Sequence, residues 1–128
     1  MPLELPSAEV PPTGPAPFDA LPPPPLKWAG GKRWQVPIIR SFWQSHAHRR
    51  LVEPFCGGLA VALGLAPARA LLNDVNPHLI NFYRWVQLGL VPPPLGKTKR
   101  DYYQRRRQFK QLVAAGAGDS SEAAGLFY

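Results

Sequence analysis

Leu51-Val52-Glu53-Pro54-Phe55-Cys56-Gly57-Gly58-Leu59-Ala60, followed by Asn73-Asp74-Val75-Asn76, decides how this chain is read. Arg50–Glu53 is a short strand, and Pro54, lacking an N–H, stops it pairing further. Gly57 and Gly58 make a turn, Leu59–Leu65 continues as a short apolar helix, and Pro67 closes it. Arg69–Asn73 is the next strand, with Asp74 at its end. Strand, helix and strand joined by short links form the doubly wound α/β pattern. In such a sheet a glycine turn lets a ligand approach the backbone. A carboxylate about 20 residues further on is placed to accept hydrogen bonds from ribose hydroxyls. Taken singly, the glycine turn also reads as an ordinary strand–helix link. Asp74, flanked by Asn73 and Asn76, also reads as a turn or capping residue. Taken together they outline a pocket for an adenosine-containing cofactor. The Gly-x-Gly-x-x-Gly spacing of dinucleotide sites is absent.

Upstream lies a second glycine element, Lys27-Trp28-Ala29-Gly30-Gly31-Lys32. A phosphate loop would need glycine where Leu26 stands and Ser or Thr where Arg33 stands, so that reading fails. The loop offers a flat ring at Trp28 and a mobile cation at Lys32, which suit a heterocycle and a carboxylate. Taken singly, Trp28 reads as a core aromatic and Lys32 as a solvated charge. Trp34, Ile38 and Phe42 then share one helical face, and Pro37 places the start of that helix close to itself.

Downstream, Asn76-Pro77 opens a third helix, with Asn76 as N-cap and Pro77 at the first helical position. Along it Leu79, Phe82, Tyr83, Val86 and Leu90 form an apolar stripe. Gly89 and Pro92–Pro94 end that unit. Residues 98–114 read as a basic helix, and Ser121 as the cap of a last helix reaching Tyr128. Only two strands are visible, fewer than such sheets normally hold.

The 128 residues carry 15 Lys+Arg against 8 Asp+Glu, a formal net charge of +7. Ten of the 17 prolines fall within residues 1–25, a composition that keeps few backbone donors for a ladder. Residues 1–25 are therefore expected to be a disordered Pro-rich tail. Residues 26–96 then form the cofactor-binding α/β portion, and residues 97–128 a basic helical segment. The tail holds Glu4, Glu9 and Asp19 and no cation, so the remainder sets fifteen cations against five acids, a net of +10. Such an excess suits a polyanionic partner, nucleic acid first, or simply a soluble basic surface. Lys97–Lys110 alone holds seven Lys or Arg with Tyr102, Tyr103 and Phe109 interleaved. Arg105, Arg106, Arg107 and Lys110 are the candidates for phosphate contact. Cys56 is the single cysteine, which rules out an internal disulfide and a cysteine zinc site; no metal site is expected. No apolar run approaches the roughly 20 residues of a membrane span, and the N-terminus lacks a signal-peptide pattern, so a cytoplasmic protein is expected.

Lys-Trp-Ala-Gly-Gly-Lys, Glu-Pro-Phe-x-Gly-Gly and Asn-Asp-Val-Asn-Pro occur here in that order. The set resembles the N-terminal half of Dam-type (D12 class) DNA adenine N6-methyltransferases, which use S-adenosylmethionine. The resemblance covers about residues 26–128. It implies a partial Rossmann-like methyltransferase fold, comprising the first strands and helices of a doubly wound sheet. It also implies methyl transfer from S-adenosyl-L-methionine to N6 of adenine in duplex DNA. Carried over by position, Trp28 and Lys32 match cofactor contacts, Glu53, Phe55 and Gly57 match the turn beside the methionine portion, and Asp74 matches the acid that holds the ribose. The segment from Tyr102 to Tyr128 resembles helices leading into target recognition.

The family's Asp-Pro-Pro-Tyr motif, which hydrogen-bonds the target amino group and stacks on the flipped base, does not occur in these residues. No catalytic residue is assigned for that reason. The chain is expected to be an N-terminal fragment, inactive alone, with duplex DNA and a second chain carrying the C-terminal half as its partners. Two other readings stand beside it. One is a non-catalytic basic nucleic-acid-binding module, and the other a nucleotide-dependent oxidoreductase, which the absent dinucleotide spacing disfavours.

Overall fold

A computed structural model describes residues 2–4 and 23–128 and divides into two units, Met1–Asp74 and Val75–Tyr128. The first is mixed α/β. Its strands are β1 (Leu3–Glu4), β2 (Leu51–Glu53) and β3 (Ala70–Leu72), in the order β1-β3-β2. β2 and β3 run parallel, with Leu51 opposite Ala70 and Glu53 opposite Leu72. Parallel neighbours need a crossover, which α2 (Ala60–Leu65) supplies. β3 is the central strand and is correspondingly apolar, with Ala70 and Leu72 buried.

β1 corrects the expectation of a tail through residue 25. Leu3 pairs antiparallel with Leu72, Glu4 pairs with Leu71, and Leu3 is buried. β3 has a free edge opposite β2, and an apolar Leu3 gains both a ladder and burial there. The rest of the expected tail, residues 5–22, lies outside the described residues.

α1 (Val36–Trp43) starts with Pro37 in its first turn, as the fixed φ of proline favours. Its inward face differs from the stripe read from the sequence. Val36 is fully buried against Gly64 of α2, where an added Cβ would stand 2.6 Å from a Val36 methyl group. Arg40 Nη2 donates to the Gly64 carbonyl at 2.7 Å. With Val36 and Arg40 turned to α2, Trp34, Ile38 and Phe42 are left exposed. The spacing of that stripe is helical, but only the position of Gly64 settles which face is covered.

The second unit is helical: α3 (Pro77–Gln87), α4 (Lys99–Ala114) and α5 (Ser121–Phe127). The Asn76 side chain accepts from the N–H groups of His78 and Leu79, with Pro77 at the start of α3. α4 opens on a capping box in which Thr98 accepts from the Asp101 N–H and Asp101 accepts from Thr98. α5 is capped by Ser120, one residue earlier than expected. Leu79, Phe82 and Tyr83 are buried along α3, and Phe82 lies against Phe127 and stacks on Tyr128.

The boundary between units falls at residue 74 rather than near 96, because α3 packs with α5. Asn81 Nδ2 donates to the carbonyls of Gly118 and Ser120, and Trp85 Nε1 donates to that of Asp119. The first two bonds satisfy the buried Asn81 amide, and the third ties the more exposed Trp85 ring to the segment before α5. Among the described residues no helix is long and apolar enough to cross a membrane.

Candidate functional site

The site lies in the first unit, at the C-terminal ends of the two parallel strands. There successive strands leave a crevice and loops replace the ladder. β2 and β3 are held in step to their last residues: the Asn73 N–H donates to the Glu53 carbonyl and the Cys56 N–H to the Asn73 carbonyl, each at 2.8 Å. The chain past β2 therefore turns directly beside the chain past β3. Gly57 takes a left-handed conformation at φ +47°, a region glycine enters without Cβ strain. Its N–H donates to Asp74 Oδ2 at 3.0 Å. Leu59, at φ 63°, holds the same hand just before α2. A non-glycine residue held there costs on the order of 1–2 kcal/mol. Burial of the Leu59 side chain opposes that strain.

Trp28 closes over this turn. A Cβ added to Gly57 would stand 3.1 Å from Trp28 Cδ1, and one added to Gly58 would stand 3.1 Å from Trp28 Cβ. A side chain at Gly57 would be strained by its backbone conformation and crowded by the indole ring, and one at Gly58 would press on Trp28 Cβ, which would have to give by a few tenths of an ångström. Trp28, Gly57 and Asp74 come together at one turn.

A hollow of about 630 Å³ opens beside Trp28, with Pro23, Pro24, Leu26, Gly58 and Ala60 among its walls. Its size is that of a small-molecule or cofactor cleft. Lys27 also borders it. Of the six residues expected to line a cofactor site, only Trp28 borders this hollow. Gly58 borders it rather than Gly57, and Ala60, the first residue of α2, replaces the more distant positions. Gly58, Ala60 and Lys27 were missed, although each adjoins a motif residue in sequence. Phe55 is 83 % exposed, and the Lys32 ammonium is exposed and donates to the Gly30 carbonyl at 2.6 Å.

Glu53 and Asp74 lie near enough to Cys56 for their charges to act on its thiol. Burial is the main cause that pushes the Glu53 carboxyl up to about 7, and a backbone hydrogen bond from Ala62 draws it partly back. Its Oε2 is buried with no hydrogen-bond partner among the described residues. An orphaned carboxylate oxygen is costly unless a cation or donor meets it, so the arrangement suits a positively charged guest. Burial, then the charges of Asp74 and Glu53, push the Cys56 thiol up to about 12. It stays protonated at neutral pH and acts as a packing residue, not a nucleophile. No cluster of three or more metal-ligating side chains occurs among the described residues.

In the second unit the four cations singled out on α4 part company. Arg105 Nη2 donates to the Gly125 carbonyl at 2.7 Å, tying α4 to α5, whereas Arg106, Arg107 and Lys110 are exposed.

Fold and site together describe a mixed α/β unit with a hollow beside the turn at the ends of its parallel strands. Residues 28–114 match the family model of the D12 class N6 adenine-specific DNA methyltransferase, and the chain belongs to that family. The match runs from Trp28 through the glycine turn and Asp74 to the end of α4. The chain is 44 % identical over 83 residues to the type II methyltransferase M1.LlaDCHI of Lactococcus lactis subsp. cremoris, covering 60 % of this chain and 29 % of that protein. It is 38 % identical over 95 residues to a DNA adenine methylase of Vibrio cholerae, covering 67 % and 34 % respectively. It is 48 % identical over 62 residues to the DNA N-6-adenine-methyltransferase of Escherichia phage P1, covering 48 % and 8 %. The chain thus spans about a third or less of the length of these relatives. No solved structure matches it.

Proposed function

We propose that this chain is the donor-binding portion of an adenine-N6 DNA methyltransferase and that its first unit is the start of a Rossmann-like sheet. The methyl donor is S-adenosyl-L-methionine, whose sulfonium supplies an activated methyl group, and the acceptor is N6 of adenine in duplex DNA. The observation that carries the reading is the single turn at which Trp28 covers Gly57 and Gly58 while Asp74 holds the Gly57 amide. Trp28 offers a flat apolar surface to the donor's adenosine or sulfonium portion. The Asp74 carboxylate accepts from a ribose hydroxyl of the donor. Glu53 offers its orphaned oxygen to the donor's ammonium group. Lys32 and Phe55 sit on the exposed side, where Lys32 can exchange its bond to Gly30 for the donor's carboxylate.

The 128 residues contain no Asp-Pro-Pro-Tyr motif. These residues are assigned donor binding, while alignment of an adenine amine against the methyl group, which carries much of the rate of such a transfer, is not assigned to them.

Titration of the purified chain with S-adenosylhomocysteine tests the reading. Saturable binding is expected, and it tightens as pH rises from 6 to 8, because an ammonium guest prefers ionised Glu53 and that carboxyl ionises near 7. Glu53→Gln abolishes the pH dependence, and Asp74→Ala weakens binding by about tenfold or more, as expected for removing a charge-assisted hydrogen bond. Absence of saturable binding across that range would overturn the proposal.

A further inference from the structure

With six residues, α2 is far shorter than a helix that stands by itself in water. It is flanked by two residues in the left-handed region, Leu59 at φ 63° and Ala66 at φ 47°, and its side chains are all apolar or, at Gly64, absent. Polar contacts can therefore hold only its backbone, and they do so at both ends. In the first turn, where Leu59 provides no side-chain cap, the Ala62 amide donates to the Glu53 carboxyl. In the last turn the Gly64 carbonyl, one of the acceptors without a partner inside the helix, takes a hydrogen bond from the Arg40 guanidinium at 2.7 Å. Val36, four residues before Arg40 on the same face of α1, packs where a Gly64 side chain would stand. Ala60, at the start of α2, is in the wall of the donor hollow. From Ala60 to Gly64 the helix rises only about 6 Å, so one short element joins Arg40 to that site.

We propose that Arg40 is a positioning residue for the donor site: by holding the Gly64 carbonyl it seats α2 so that the Ala62 amide meets the Glu53 carboxylate and Ala60 stays in the wall of the hollow. The inference rests on the donor-site reading and gives that site a support outside its own motifs. Arg40 is not itself in the wall, so it acts only through the helix. Removing its guanidinium leaves a part-buried acceptor unmet and frees α2 to shift on α1. An amide hydrogen bond favours the ionised carboxyl, so retreat of Ala62 makes Glu53 harder to ionise. Cys56, which feels the charges of both Glu53 and Asp74, is the ionisable neighbour on the turn. α2 and β3 contribute no ionisable side chain, and Arg33 and Arg40 are the cations on the segments packed against α2.

The test uses the full chain with carbon-13 in its glutamate carboxyls, so that Glu53 can be titrated directly by nuclear magnetic resonance. Arg40→Met keeps an apolar stem and removes the donor. It should lift the Glu53 midpoint from about 7 by about one pH unit, as expected for losing a hydrogen bond to a charged group. The rise should persist in about 1 M salt, where the loss of a charge acting through space is screened beyond about 3 Å. Gly64→Ala is the second variant. Its new Cβ meets a Val36 methyl group at 2.6 Å, displaces α2 without altering any charge, and should lift the midpoint in the same direction. At pH 7 about half of Glu53 is ionised in the wild type, against about one-tenth in Arg40→Met. S-adenosylhomocysteine should therefore bind that variant about fivefold more weakly at pH 7, and the gap should close by about pH 9. An unchanged midpoint in either folded variant overturns the proposal, and with a lowered melting temperature it assigns Arg40 a purely structural tie. A rise in Arg40→Met that high salt abolishes overturns it too, as does equal S-adenosylhomocysteine affinity at pH 7. Failure of the donor-site reading shows separately, as no S-adenosylhomocysteine binding by the wild type while the Glu53 midpoint still moves in both variants.

Discussion

Glu53 shows how one side chain links the fold to its chemistry. It ends β2, where its carbonyl serves the sheet, while its carboxyl is turned into a partly buried space with Oε2 unmet. Desolvation penalises the charged form, so the carboxyl rises from an ordinary 4.5 to about 7. The folded chain then holds a proton that the unfolded chain has already released. Stability is consequently greatest below about pH 4.5 on this account and falls as pH rises towards 7. Glu53→Gln removes the penalty. The variant should melt above the wild type at pH 8 and close to it at pH 4.5, as thermal unfolding at the two values would read. An equal shift at both would mean that packing, not ionisation, governs the site. The motif signalled that a carboxylate belongs at Glu53, but not that it would be orphaned, because burial depends on α2 folding back across the strand.

At the scale of elements, local chemistry foretold most boundaries. Asn76-Pro77 announced α3, and the structure has the Asn76 side chain accepting from two N–H groups there. Asn76→Ala should therefore cost about 1 kcal/mol of stability, read from denaturant unfolding followed by helical circular dichroism. Asn76→Ser should restore most of it. The glycine turn and both parallel strands were legible as well, with the strand ends a residue or so shorter than expected. Two things were not. β1 pairs residues nearly seventy positions apart, Leu3 with Leu72, and nothing in the neighbouring sequence announces such a partner. The exposed stripe of α1 has the right period, yet its phase relative to the core is decided by Gly64, which admits Val36. Periodicity specifies that a helix has faces; packing chooses among them.

For the molecule as a whole, the two units carry different cores. The first is built from small residues around β3, with Ala60, Ala62, Ala70 and Leu72 buried. The second is aromatic, with Phe82 1 % exposed among Tyr83, Phe127 and Tyr128. Phe82→Ala should cost about 3–5 kcal/mol in the helical unit, since the surrounding rings cannot fully collapse into the space. Disappearance of near-ultraviolet signal with residual far-ultraviolet signal from the first unit would report it. The excess of positive charge was legible from composition alone. Its disposition was not: Arg105 and Arg106 are adjacent and alike in sequence, and only the nearby Gly125 carbonyl separates a structural tie from an exposed cation.

The bond between the Gly57 amide and Asp74 makes the turn a built-in reporter. While the carboxylate grips that proton, deuterium from solvent enters slowly there. A guest that recruits the same acid must either share it or loosen the backbone beneath, and the isotope uptake of one glycine will tell which.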